Sequence, residues 1–339
     1  MGKEERKNME WMEKEERGMN VEECRSGKRF GDLAEEWMAV TKTQWKESTN
    51  IKYKNMLESY ILPYLGGENA EDLTYPAMMD YCSYLLTHGG MQHTGLSSKT
   101  VSDVMSVVRN VLKFAERNGC PVRELGTHVL IRQHSRSMRI LSRAEQKKIC
   151  NYLFAHPEDG RNLGILISLF TGLRLGEVCA LSWQDISLEE RTLTVHHTMQ
   201  RIQAEEDGGR KTKIIISSPK SLCSVRIIPI PEELSALLES TGKKDRGYLL
   251  SGNSEKVIEP RSMQYHFKKV LRHCQIREAN YHCLRHTFAT RCVELGFDVK
   301  SLSEILGHAS VNITMNRYVH PSMELKRKNM SKLSGLMTS

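Results

Sequence analysis

Apolar residues between positions 30 and 122 recur at the three- and four-residue spacing that is typical of amphipathic helices. Four helices are predicted there, beginning at Phe30, at Thr49 as a cap, at Tyr75 and after Ser97-Ser98. Pro63 and the pair Gly66-Gly67 are expected to stop the second helix. The pattern predicts a helical bundle of about 90 residues, which is within the usual size of a small domain.

After residue 140 the pattern mixes helices with short runs of β-branched residues. Ser142 is expected to cap a helix, and an apolar helix over 162–170 is expected to break at Thr171-Gly172. Strands are predicted at 192–202, 213–216 and 224–228. This half therefore predicts an α+β domain in which a small antiparallel sheet lies on a mainly helical body.

The chain is thus expected to be a mainly α protein of two domains. The predicted division is a charged leader without an assigned role at 1–29, a helical bundle at 30–122, a basic linker at 123–139, an α+β domain at 140–325 and a tail at 326–339.

Composition narrows the class of protein. The 339 residues are 39% hydrophobic, which is ample for folded domains. The longest apolar stretch, 163–170, is far too short to cross a bilayer, and the charged N-terminus does not resemble a signal peptide. Nine scattered cysteines without a Cys-x-x-Cys pair argue against a disulfide framework or a zinc knuckle. We expect a soluble cytoplasmic protein.

The net charge of +8 says little by itself, but its distribution says more. The segment 132–148 carries six basic residues against the single acid Glu145, and its arginines are Arg132, Arg136, Arg139 and Arg143. Such a ribbon in a linker could follow a phosphate backbone. A solvated, flexible connector is the alternative.

Two stretches carry arginines in suggestive settings. Arg174 follows a glycine break and opens a helix, and Glu177, one turn on, can hold its guanidinium in place. His282 and Arg285 share a helix face, while Leu284, Phe288, Cys292 and Leu295 are expected to enter the core. The alternative for Arg174 and Glu177 is an ordinary surface ion pair. The alternatives for the second stretch are a capping histidine with a surface arginine, or a zinc site at His282 and His286. The guanidinium of Arg285 argues against the metal, because it would repel a dication.

A tyrosine and a lysine complete the candidate chemistry. Gly307 ends one helix and places His308 on a turn, and Ser310 can cap the next helix, which carries Tyr318. Tyr318 is either a core aromatic or an exposed phenol whose pKa two arginines would lower. Lys220 is expected near the tip of a hairpin, where it could give a proton to a departing alkoxide.

Together these residues resemble the tyrosine recombinase family, the phage-integrase and Xer-like enzymes. The matching elements are Thr171-Gly172-Leu173-Arg174-x-x-Glu177, Lys220, His282-x-Leu284-Arg285-His286, Leu306-Gly307-His308 and Tyr318. Their order and separations fit the family over residues 30 to 325. The resemblance implies a SAM-like, core-binding N-terminal bundle and a catalytic domain that clamp double-stranded DNA.

The resemblance also implies roles for these residues. Tyr318 attacks the scissile phosphate to give a 3′-phosphotyrosyl link, while Arg174 and Arg285 neutralise the phosphate oxygens. Lys220 protonates the leaving 5′-oxygen, His282 assists proton transfer at the tyrosine, and His308 hydrogen-bonds the phosphate. No cofactor or metal is expected, and four protomers act together on DNA.

Several alternatives remain at this stage. A site-specific recombinase of a mobile element or phage is favoured over a topoisomerase-like enzyme that nicks and reseals DNA, and over a non-catalytic DNA-binding protein of the same fold. Integration, excision and multimer resolution are not distinguished. The use of accessory DNA-bending or directionality proteins is also left open.

Overall fold

The computed structural model describes residues 28–90, 92–122, 138–204, 211–218, 222–241, 247–319 and 323–331. The chain divides into two compact units, Met1–Arg136 and Ser137–Ser339. The predicted linker, 123–139, lies almost wholly outside the described residues, so its boundaries stay a prediction. Each unit has its own apolar core.

The first unit is helical where it is described. Its α-helices are α1 (Phe30–Thr41), α2 (Glu47–Met56), α3 (Leu62–Leu65), α4 (Tyr75–His88) and α5 (Ser98–Arg117). A π-helical segment, Leu57–Ile61, joins α2 to α3, and 3-10 turns lie at Lys42–Gln44 and Ala70–Asp72. The four predicted helical segments are present, with α2, the π segment and α3 forming the second.

Local signals explain most of these boundaries. The Ser97 side chain accepts a hydrogen bond from the backbone N–H of Thr100 and so caps α5, which begins after Ser97 as predicted. The prediction for Thr49 was wrong, because α2 begins at Glu47 and Thr49 lies inside it. Pro63 does not stop the helix either. It lies in the first turn of α3, where its missing N–H costs little, and the helix ends at Gly66.

The second unit is built around a set of helices. They are α6 (Arg143–Ala155), α7 (Gly160–Thr171), α8 (Leu175–Ala180), α9 (Glu232–Ser240), α10 (Pro260–His273), α11 (Cys283–Glu294), α12 (Val299–Leu306), α13 (Val311–Tyr318) and α14 (Met323–Ser331). Further 3-10 turns lie at Trp183–Asp185 and Leu222–Ser224. Ser142 forms a reciprocal capping box with Glu145 at the start of α6.

Five strands form two antiparallel sheets in the described part of this unit. They are β1 (Ile186–Ser187), β2 (Thr192–Val195), β3 (Thr198–Gln203), β4 (Thr212–Ser217) and β5 (Arg226–Pro229). One sheet has the order β1-β2-β5, and β3 pairs with β4 in the other. Leu193 lies opposite Ile228, and Gln200 lies opposite Ile215.

This pairing corrects the prediction of a hairpin around Lys220. The strands that flank Lys220 are β4 and β5, which belong to different sheets and do not pair with each other. The predicted strand 192–202 is divided at His196-His197, so its two halves supply partners to two sheets. Residues 219–221 themselves lie outside the described residues, and so does the side chain of Lys220.

The main core of the second unit surrounds α7, whose residues are buried on nearly every side. Leu166 and Ile167 are fully buried there, and Leu284 of α11 belongs to the same cluster. A smaller apolar cluster, formed by Ala289, Cys292, Leu302, Leu306 and Tyr318, lies between α11, α12 and α13. Leu295 does not join the core as predicted, because it lies just beyond α11 and is 74% exposed.

Candidate active site

Arg174 lies at the N-cap position of α8, directly after a turn that glycine makes possible. Gly172 ends α7 with a φ of 68°, in the left-handed region. The predicted contact with Glu177 exists: Nη1 of Arg174 donates to Oε1 at 2.8 Å, and the backbone N–H of Arg174 donates to Oε2 at 2.9 Å. Nη2 donates to the Gly307 carbonyl at 3.0 Å. The side chain of Arg174 is 36% exposed, so its guanidinium is held yet open to a ligand.

A second arginine, which sequence reasoning missed, holds Glu177 from the other side. Arg226 of β5 donates from Nη2 to Oε2 of Glu177 at 2.9 Å, and both side chains are almost fully buried. Its Nε donates to the Ile305 carbonyl at 2.6 Å. Burial alone raises the pKa of the Glu177 carboxyl, but Arg226 and Arg174 outweigh burial and hold that pKa below its usual value. The sequence did contain a signal that could have identified Arg226, because it is a charged residue inside the strand predicted at 224–228.

Arg285 is the most enclosed charge of the site. It is 2% exposed and donates from Nη1 to the Gly172 carbonyl at 2.8 Å and from Nη2 to the Leu306 carbonyl at 2.7 Å. These carbonyls lie at the C-terminal ends of α7 and α12, where helix dipoles favour a cation. Burial, together with the charge of Arg174, lowers the pKa of Arg285 to about 9, so it remains charged at neutral pH.

His308 is fixed between Arg285 and Thr314. Nε2 of His308 lies 2.9 Å from Nη2 of Arg285, and Nδ1 lies 2.7 Å from Oγ1 of Thr314. A guanidinium can only donate, so Nε2 accepts, and Nδ1 carries the hydrogen toward Thr314. Burial and the charges of Arg285 and Arg174 lower the pKa of His308 to about 4. The ring is therefore neutral at pH 7.

His282 and His286 lie side by side at the start of α11. Their ring centroids are 4.5 Å apart at an interplanar angle of 85°. His282 is the N-cap residue and is exposed, whereas His286 is 8% exposed. Desolvation and neighbouring positive groups lower the pKa of each to about 4.

Tyr318 corrects the expectation of an exposed phenol. It is 5% exposed, and Oη lies 2.8 Å from Nδ1 of His286. Burial raises the pKa of Tyr318, although the charges of Arg285 and Arg317 act in the opposite direction. The phenol is therefore neutral here, which matches the alternative of a core aromatic and not that of an exposed phenol with a lowered pKa. The reason lies in α13, which buries Thr314 and Tyr318 and leaves Met315 46% exposed.

The structure thus gathers five of the predicted residues and the supporting Glu177 around one region. Arg174 contacts the Gly307 turn, Arg285 contacts His308, and the ring of His308 is parallel to that of Tyr318 at a centroid distance of 6.4 Å. His282 joins through the ring of His286. Before folding, these groups are spread over more than 140 positions of the chain.

The predicted DNA-contacting arginines and Lys220 are placed differently. Arg132, Arg136 and Lys220 lie outside the described residues. Arg139 donates to Glu145 and to the Ile140 carbonyl, so part of its guanidinium serves the start of α6. Arg143 is 78% exposed and contacts Glu294 at 3.1 Å.

Two features are absent from the ranges given above. Histidine, cysteine and carboxylate side chains form no group of three there that could hold a metal ion. None of the helices in those ranges has the length and apolar character that crossing a membrane requires.

Two family models match the chain. Residues 139–324 match the model described as the phage integrase family, and residues 29–86 match the N-terminal SAM-like domain of phage integrases. The predicted fold class, a SAM-like bundle followed by an α+β domain with small antiparallel sheets, is confirmed.

Several known proteins are similar over most of the chain. A XerC-like tyrosine recombinase of Caldanaerobacter subterraneus subsp. tengcongensis is 26% identical over 91% of this chain and 83% of its own length. The ICEBs1 integrase of Bacillus subtilis is 24% identical over the same shares. Among solved structures, the Tn1549 transposon integrase in complex with a circular intermediate DNA has a TM-score of 0.72 and 19% identity, covering 89% of this chain and 99% of that one.

Proposed function

The chain belongs to the phage integrase family, and from this premise we propose that it is a site-specific recombinase that cleaves and rejoins double-stranded DNA. Tyr318 is the nucleophile, and the intermediate is a 3′-phosphotyrosyl link. The observation that carries the proposal is the meeting of Arg174, Arg285, His308 and Tyr318 in one region of the second unit.

The chemistry follows from what each group can donate. Tyr318 Oη loses its proton to a neighbouring base and forms a bond to phosphorus, the bond from phosphorus to the 5′-oxygen breaks, and Lys220 gives that oxygen a proton. Arg174 and Arg285 are fixed by backbone carbonyls before substrate arrives, so they stabilise the developing negative charge without reorganising. The phosphotyrosyl bond conserves the energy of the broken one, so rejoining proceeds by the same steps in reverse.

The buried phenol requires a movement before cleavage. Tyr318 is the last residue of α13, and the next described helix, α14, begins at Met323. A shift of α13 releases Oη toward the phosphate that Arg174 and Arg285 hold. This step prevents the free protein from attacking stray phosphodiesters, because its nucleophile is neutral and covered.

Four protomers carry out the exchange on two DNA sites, and the element served is a mobile one. The similarity to the transposase from transposon Tn916 and to the ICEBs1 integrase supports this assignment. Arg132, Arg136 and Arg143 add phosphate contacts from the basic segment, which makes DNA binding fall steeply with salt.

The test is adduct formation on DNA with a nick beside the scissile phosphate. The wild-type protein is expected to yield a detergent-resistant, protease-sensitive adduct and, with two sites, exchanged strands. Tyr318→Phe is expected to bind DNA and form no adduct. Tyr265→Phe is the matched control, because Tyr265 is 58% exposed on α10 and has no place in the mechanism.

The outcomes separate the alternatives. An adduct from Tyr318→Phe would refute the nucleophile. Relaxation of supercoiled DNA without strand exchange would favour a topoisomerase-like enzyme, and binding without any adduct would favour a non-catalytic protein.

A further inference from the structure

His286 is a buried histidine to which the mechanism above gives no task. Its Nδ1 lies 2.8 Å from Oη of Tyr318, the atom that attacks phosphorus. The two side chains are 8% and 5% exposed, so water does not compete freely for this contact. The side chain of His282, to which the family resemblance gives the proton-transfer role, forms no hydrogen bond to any residue that the structure describes.

We propose that His286 is the catalytic base that receives the phenol proton of Tyr318 during cleavage and returns it during rejoining. The inference rests on the proposed function. In the forward step the Oη–H proton moves to Nδ1 of His286 while the two groups are still in contact. The shift of α13 then brings Oη to phosphorus, and the leaving 5′-oxygen takes its proton from Lys220. On rejoining, the imidazolium of His286 protonates the departing Oη, so the base is regenerated.

In the free protein each group is in the protonation state from which transfer starts, and the order of the two pKa values opposes transfer until substrate binds. Burial and the charges of Arg317 and Arg285 lower the pKa of His286 to about 4, so the ring is unprotonated at neutral pH. Burial raises the pKa of Tyr318, so the phenol holds its proton. The hydroxyl therefore donates to Nδ1, and the ring hydrogen lies on Nε2.

Substrate binding itself makes His286 a stronger base. Two guanidiniums, Arg285 on α11 and Arg317 on α13, depress the basicity of the ring in the free protein. A phosphodiester held by Arg285 brings a negative charge into this field and offsets it, which favours the imidazolium. Proton transfer is thus coupled to occupancy of the site. His282 contributes to the same environment as the ring adjacent to His286.

Two variants, His286→Asn and His286→Ala, distinguish two possible roles of His286: positioning the Tyr318 phenol by a hydrogen bond, and accepting the proton of that phenol. Asparagine places an amide oxygen near the position of Nδ1, so it can accept the hydrogen bond but cannot keep a proton. Single-turnover adduct formation is measured on ordinary DNA and on DNA with sulfur in place of the bridging 5′-oxygen. A thiolate leaves without a proton, so the modified DNA restores cleavage only where protonation of the leaving 5′-oxygen, the proposed task of Lys220, is defective.

The expected result is a loss of about 10²-fold or more for His286→Asn on both DNAs, within the range for a general base. His273→Asn is the matched control, because His273 is exposed on α10 and lies outside the candidate active site; it is expected to form the adduct within about twofold of wild type. Added imidazole is expected to restore adduct formation by His286→Ala and not by Tyr318→Phe. DNA affinity, measured on the same variants, is expected to stay unchanged.

Two results would overturn the role of His286. One is adduct formation by His286→Asn within about threefold of wild type. The other is a failure of imidazole to restore His286→Ala while that variant still binds DNA as wild type does. If the wild-type protein itself forms no adduct, the proposed function fails instead, so the two failures are distinguishable.

Discussion

Arg226 offers the sharpest test of how the site is supported, because it touches no substrate in the proposed mechanism. Its guanidinium donates to Glu177, to the Ser224 carbonyl and to the Ile305 carbonyl. Arg226→Ala removes all of these contacts. It leaves the Glu177 carboxylate, whose side chain is 3% exposed, with Arg174 as its remaining cation.

The expected loss in the free energy of unfolding follows from that burial. Removing one partner of a buried ion pair costs about 3–5 kcal/mol, because the other charge stays desolvated. An exposed pair is worth about 1 kcal/mol or less. Arg201→Ala is the matched control: Arg201 also lies on a strand and grips Glu259 with two nitrogens, but these side chains are 38% and 32% exposed. The two variants should therefore differ by at least about 2 kcal/mol.

The rate of cleavage should fall as well, because Arg226 contacts two parts of the structure that hold Arg174, a proposed catalytic residue. Glu177 orients Arg174, and the Ile305 carbonyl belongs to the helix end that leads to the Gly307 turn. A displacement of about 1 Å at a reacting group can cost about 10²-fold in rate. Arg226→Lys keeps the charge without the forked geometry, so it should retain more stability than Arg226→Ala while recovering only part of the cleavage rate.

The assay is hydrogen exchange of the buried amides of α7 and α11, which reports the stability of the second unit regardless of the first. Cleavage is followed by adduct formation at saturating DNA. Equal losses for Arg226→Ala and Arg201→Ala would refute the claim that the buried pair supports the site. Unchanged cleavage by a destabilised but folded Arg226→Ala would refute its positioning role.

Three further outcomes are expected. In the same exchange assay, Gly172→Ala should lower the free energy of unfolding by about 1–3 kcal/mol more than Gly296→Ala does. Both glycines have a positive φ, but only at Gly172 would a Cβ meet a neighbour, 2.5 Å from Phe288. Equal losses would contradict this. Thr314→Val should lower the free energy of unfolding by about 1 kcal/mol, because the N–H of the half-buried His308 loses its acceptor. An unchanged free energy of unfolding would show that the hydrogen bond is unimportant. In NMR titrations His308 should have a pKa of about 4. Because this pKa lies below that of the unfolded chain, the free energy of unfolding should fall as the pH drops below about 6.5. A pKa near 6.5 for His308 in the folded protein would contradict the argument from burial.

The sequence predicted those features that depend on near neighbours in the chain. Caps and breaks were predicted correctly at Ser142, Ser310, Gly172 and Gly307, since each acts within one helical turn. The contact between Arg174 and Glu177 is of the same kind, because it joins positions three apart at the start of a helix. Fold class followed from the same periodicities.

Features that depend on tertiary packing were not predictable in this way. Strand pairing around Lys220 is decided by which sheet each strand joins, and Arg226 meets Glu177 across 49 positions. The burial of Tyr318 depends on how α13 packs against α11 and α12, which the apolar spacing of α13 alone does not specify. The contact of Tyr318 with His286 spans 32 positions and has the same origin.

The central claim, that Tyr318 becomes bonded to DNA, is tested most directly by mapping the adduct. The wild-type adduct is digested with nuclease and trypsin, and the modified peptide is identified by mass spectrometry. If Tyr318 is the nucleophile, a nucleotide will be found on the peptide 318–326, in which Tyr318 is the only tyrosine. A nucleotide on any other peptide, or an adduct whose modified residue is not a tyrosine, would contradict it.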